Sequence, residues 1–257
     1  MIRSMMLVTL FLCGMSNLSA TPLYLDLLDN AHPDKKELDT ARKQIKEHVE
    51  TKLKNKLFIT PFHKREVQET VKIKPICSLC HLHLPHQKNE RSRSFLNMHS
   101  QYIACETCHL KTEGYSLKYR WLDFKAKEKE PQSTGIQKDN KEYKSIQSKP
   151  GLRITPFYLD EPVIVFSEHN YSRKLVKSWE AASNNDKVKI KAHLHSIIKK
   201  DGTKCKACHG KKDLLLDYSL LGATEKQVKA IEENIIAKFF ARFRKDDEKI
   251  RITDLLR

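Results

Sequence analysis

The sequence predicts a mainly α, loop-rich protein with flanking helices and little strand. Three observations carry this. Apolar residues recur at spacings of three and four near both ends of the chain, as on one face of a helix. Only one segment, Ile154–Phe166, reads as strand or extended chain. The remaining stretches hold paired cysteines but no apolar period, so something other than a hydrophobic core must order them. The chain has 257 residues, 39% hydrophobic and 31% charged. Seven glycines and nine prolines exclude a collagen-like or Gly/Pro-rich low-complexity chain. No apolar run reaches the ~18 residues that span a bilayer, which excludes a multi-pass membrane protein.

Residues 1–20 read as a secretory signal peptide. Arg3 gives a short positive n-region, Met5 to Met15 is mostly apolar, and Leu18-Ser19-Ala20 ends in a small residue. An uncleaved anchor would need a longer run. A lipoprotein would need a small residue where Leu12 precedes Cys13. Cleavage after Ala20 starts the mature chain at Thr21, removes Cys13 and leaves Met98 as the one methionine.

Segment 21–75 is expected to be helical, with a helix from Pro33 to about Leu57. Its stripe is Leu38, Ala41, Ile45, Val49, Leu53 and Leu57, and Pro33 suits a first turn. Packing on the rest of the protein is the expectation, a membrane-surface helix the alternative. Segment 76–124 shows little regular pattern. Residues 125–150 carry seven lysines and few apolar residues, and read as a lysine-rich linker. In 151–257, Pro156 and Pro162 argue against a place in a central sheet. Helices are expected over Tyr171–Ala182 and Asp186–Ile198, broken by Asn184-Asn185. Asp201-Gly202 makes a turn. A last long helix opens on a Thr224-to-Gln227 capping box, with Val228, Ile231, Ile235 and Phe239 facing the core.

The six mature cysteines form three pairs: Cys77-Ser-Leu-Cys80-His81, Cys105-Glu-Thr-Cys108-His109 and Cys205-Lys-Ala-Cys208-His209. Each is C-x-x-C-H, the attachment signature of a c-type haem. Two thiols add to the haem vinyl groups as thioethers, and the next histidine lies under the ring, where it can bind iron. Roughly 0.01 such pentapeptides are expected by chance in a chain of this kind. A zinc site from Cys77, Cys80, Cys105 and Cys108 would strand the third pair and idle the histidines. Three redox-active disulfides leave the histidines idle too. Three covalent haems, on Cys77, Cys80, Cys105, Cys108, Cys205 and Cys208 with His81, His109 and His209 as iron ligands, use every part of the motifs.

Over roughly residues 76–110 and 193–222 the chain resembles the multihaem c-type cytochromes of bacterial periplasms. The resemblance implies a fold organised around covalent haems, and a closely packed three-haem core. The chain is longer than the small triheme cytochromes, and its third motif lies almost one hundred residues after the second. A histidine shortly upstream of a motif resembles the distal ligands of these proteins. That points to His99 and His195. His86, after the first motif, is expected to ligate a neighbouring haem; His83, His169 and His193 are reserves. His32 and His48 are expected at the surface. With Met98 alone, at most one haem can be His/Met, so most should be bis-histidine and of low potential.

The expected function is one-electron transfer in the periplasm. The alternatives are an oxidoreductase acting on a small inorganic molecule at one open haem, and a haem subunit of a larger complex. The formal charge of +16 suits docking on an acidic redox protein, a membrane-bound electron-transfer complex or an anionic membrane surface. Nucleic-acid binding fits the charge but not the compartment.

Overall fold

The structure, a computed structural model, describes residues 21–47, 74–81, 84–86, 95–125 and 151–242. Residues 1–20, expected as a signal peptide, most of residues 125–150, expected as a linker, and His48, His63 and His83 lie outside them. The described residues are mainly helical, with one three-stranded antiparallel sheet.

Helix α1 (Leu23–Asp29) was not legible in the sequence, because it has only 7 residues. It buries Leu23, Tyr24, Leu25 and Leu28 against Ile76, Leu110, Val163, Val165 and Ile197. Helix α2 (Lys35–Lys46) starts two residues later than Pro33. Asp34 accepts the Glu37 N–H while Glu37 accepts the Asp34 N–H, a complete capping box that satisfies the first turn. The helix ends at Lys46, so Val49, Leu53 and Leu57 belong to residues outside the description. Its stripe of Leu38, Ala41 and Ile45 is covered by Val188 and Ala192.

Strand β1 (Lys118–Asp123) pairs with β2 (Leu152–Tyr158), which pairs with the two-residue β3 (Glu161–Pro162). The expectation that Pro156 avoids a central strand is overturned, for β2 is the middle one. The reason is the shortness of β3. The Pro156 carbonyl accepts the Val163 N–H at 2.9 Å, so its nitrogen also points toward that edge, past the end of the β2–β3 register. No ladder donor toward β1 is lost. Strand β1 falls in the stretch read as lacking pattern. Its Trp121 and Leu122 are consecutive buried residues, which erases the alternation. The ends of the lysine-rich insertion meet: Asp123 is in register with Leu152, and the Phe124 N–H reaches the Gly151 carbonyl at 3.0 Å.

After β3 come α5 (Asn170–Ala181) and α6 (Asn184–Ser196). The break lies at Ala182–Ser183, not at Asn184-Asn185, because the Ser183 hydroxyl accepts the Asp186 N–H and starts α6 there. The last expected helix is two: α8 (Glu225–Glu232) and α9 (Ile235–Arg242). The Thr224–Gln227 capping box is formed. Asn234 interrupts the run by accepting the Ala237 N–H at 2.9 Å. The break takes Ile235 out of the stripe, leaving it 62% exposed while Phe239 is buried.

Candidate functional site

The three motifs sit on short turns of helix stitched to these elements. The first motif occupies a 3₁₀ turn (Ile76–Leu79), and the second is α4 (Cys105–His109). The third continues from Cys205 into α7 (Lys206–His209). The Ile76 N–H donates to Val165 at 2.8 Å, just past β3. The Ala104 N–H donates to Ile154 on β2 at 2.9 Å, and the Lys111 N–H to Ile197 at the end of α6 at 2.8 Å. The third motif is tied to the second by the Thr203 hydroxyl, which donates to the Cys108 carbonyl at 3.1 Å. Gly202, in the expected turn, has φ +62°, and a Cβ there would lie 3.0 Å from the His109 ring, so only glycine fits.

Each motif histidine faces one histidine from outside the motifs. His81 faces His195, His109 faces His86 and His209 faces His99, each pair with ring centroids 6.1 Å apart. The ring planes meet at 73°, 22° and 68° respectively. Neither His99 nor His195 faces the motif that it precedes. Helix α3 (Asn97–His99) lends His99 to the third motif, and α6 lends His195 to the first.

Five of these six rings have Nδ1 against an oxygen that can only accept. The partners are Lys199 O for His109 (2.8 Å), Ile231 O for His209 (2.9 Å), Phe95 O for His99 (2.8 Å), Lys191 O for His195 (2.7 Å) and Asn97 Oδ1 for His86 (3.1 Å). Nδ1 therefore carries the proton and Nε2 keeps a free lone pair, the usual arrangement behind a metal-ligating histidine. The Ile231 carbonyl is available because α8 stops at the break. Burial holds the imidazoles of His86 and His99 below their ordinary range, which keeps them neutral and able to ligate.

The six cysteines are free thiols. Among the described residues no three His, Cys, Asp or Glu side chains gather as a metal-ion site, so the four-cysteine zinc arrangement is not formed there. Paired imidazoles are another matter. An iron bound by two imidazole nitrogens at about 2.0 Å, with each centroid roughly 1.1 Å beyond its nitrogen, sets the centroids about 6.2 Å apart. The donor pairs fit a haem iron. Cysteines from different motifs are neighbours: Cys105 lies close enough to Cys77, and Cys208 to Cys108, to help raise the pKa of each.

Two site residues escaped the sequence reading. Glu106, 2% exposed, accepts the Cys77 thiol hydrogen at 3.4 Å, and its other oxygen has no partner among the described residues. Asn97, 6% exposed, holds His86. A charged residue inside a motif could have flagged the first; nothing local flags the second. Of the reserves, His169 caps α5 by accepting the Tyr171 N–H at 3.1 Å, and His193 lies on α6 away from these pairs. His32 is exposed, as expected. The chain matches no protein-family model, no curated protein and no solved structure.

Proposed function

We propose that the mature chain is an exported triheme cytochrome c that passes single electrons between periplasmic or membrane partners. A c-type haem supplies reversible one-electron chemistry at iron, with no substrate bond made or broken. The observation that carries the reading is the threefold pairing: every motif histidine has one opposite imidazole at 6.1 Å. The chain's own part is to hold three pairs of imidazoles, five of the six rings with the proton on Nδ1 and Nε2 free, and to offer two thiols beside each motif histidine. Bis-histidine ligation favours low potentials. In the second motif Cys105 neighbours a cysteine of the first and Cys108 a cysteine of the third, which favours three closely spaced centres with the second between the others. The oxidoreductase alternative needs a motif histidine with nothing opposite, and none of the three is so placed.

The test is the mature protein expressed with functional cytochrome maturation. Intact mass and a pyridine haemochrome assay should give three covalent haems, and carbon monoxide should bind none of them. Low-temperature EPR of the oxidised protein should separate the centres by ligand plane. The near-parallel His86–His109 pair gives a rhombic low-spin signal, and the two steep pairs give strongly anisotropic ones. A colourless protein, or high-spin iron in the unaltered chain, would overturn the reading.

A further inference from the structure

We propose that Asn97 is the positioning residue for His86, fixing both its ring and its backbone and so setting the ligand field at the second motif. The inference rests on the haem reading and deepens it. His99 and His195 are each oriented by a carbonyl one turn earlier in the chain, Phe95 O and Lys191 O. His109 and His209 are oriented by backbone carbonyls too. His86 lies outside any helix or strand, and among the described residues no backbone carbonyl meets its ring. Its partner is a side chain, and one side chain meets it three times.

The His86 backbone N–H donates to Asn97 Oδ1 at 3.0 Å, and Asn97 Nδ2 donates to the His86 carbonyl at 3.1 Å. These two bonds settle which amide atom is which, since a backbone N–H only donates and a carbonyl only accepts. The oxygen at 3.1 Å from the His86 ring is therefore Oδ1, so Nδ1 carries the proton and Nε2 keeps its lone pair, in a ring whose centroid lies 6.1 Å from that of His109. Asn97 is 6% exposed, which keeps water from replacing these bonds. It also sits two residues before His99, so one buried amide joins the opposite histidines of two motifs.

The role is read from the full haem-loaded protein in three variants. His86→Ala should open one centre, making it high-spin and able to bind carbon monoxide, and so identify its signals. Asn97→Ala should keep three covalent haems and alter that same centre alone, partly to a carbon monoxide-binding form. Asn97→Asp keeps the volume and the acceptor for Nδ1–H. Its charge makes Nε2 more basic, so that centre should stay low-spin and its potential should fall while the other two hold. A purely structural role would shift stability and leave that potential alone. Should Asn97→Ala not accumulate, Asn97→Asp decides. If His86→Ala opens a centre but Asn97→Asp leaves all three potentials unchanged, the Asn97 proposal is overturned and the haem reading stands. If His86→Ala opens no centre, His86 is not a ligand and the proposal falls with it. If the unaltered protein holds no covalent haem, the wider reading fails first.

Discussion

Glu106 is the residue in the second motif whose chemistry is most exposed to change. Burial raises its carboxyl above the ordinary range, against the pull of Arg153. Its donor is the Cys77 thiol, and a cysteine spent on a thioether has no hydrogen left to give. A native pKa above the unfolded one means that the folded state holds a proton the unfolded chain has released. Between the ordinary carboxyl range and the raised value, stability must fall as pH rises, and below the ordinary range the penalty vanishes. Glu106→Gln should flatten this slope. Guanidinium unfolding followed by circular dichroism from pH 4 to 8 measures it, and an unchanged slope would show Glu106 ionised in both states. The motif cysteines and histidines stood out residue by residue, because C-x-x-C-H is a local pattern in the sequence. The pairing was not, because His81 and His195, or His99 and His209, are more than one hundred positions apart.

The turn between β2 and β3 is carried by Leu159 at φ 48° and Asp160 at φ 67°. Two left-handed residues in a two-residue loop suit the twist of a hairpin, but leucine is a poor choice there. Leu159 is 79% exposed, so its side chain gains little from packing. Leu159→Asn should stabilise the protein by about 0.5–1 kcal/mol, since asparagine tolerates this conformation. A urea titration shows it as a higher midpoint with the slope unchanged. Asp160 is best left alone, because it pairs with Arg120. Helix periodicity located α2, α5, α6 and α8 from the sequence. It missed α1 for its brevity and β1 for its consecutive buried pair. It joined α8 to α9 because the interruption depends on one asparagine whose side chain could as well have faced solvent.

On the expectation that residues 1–20 are removed as a signal peptide, the loss of Arg3 takes the formal charge from +16 to +15 before any haem propionates are counted. The first motif is one place where that charge meets the outside. Cys80 and His81 are exposed, and Lys191 is close enough to act on the Cys80 thiol. An acidic redox partner should approach there. Lys191→Glu keeps the backbone carbonyl that orients His195 but reverses the charge beside the motif. Stopped-flow reduction by an acidic partner should slow roughly three- to tenfold at low salt, with the difference fading at high ionic strength. Equal rates at low salt would move the docking site elsewhere. Net charge was plain from composition; its placement beside one motif required α6 to cross that motif from a distant part of the chain.

The same closure that brings the motifs together shields one sulfur of the second motif. Burial, then the neighbouring Cys208 and Cys105 thiols, push Cys108 up to about 12. At neutral pH such a thiol is ionised in roughly one molecule in 10⁵, and the thiolate is the reactive form. On the proposed reading, the folded second motif is therefore a poor recipient for the group that it is built to hold. Covalent loading of that motif has to come first, on an extended chain still open to the enzymes of maturation. Folding then acts as the final seal, bringing imidazoles from remote segments onto centres already fastened in place. A mutation that hastens collapse before loading would lower the yield of coloured protein while leaving every ligand intact.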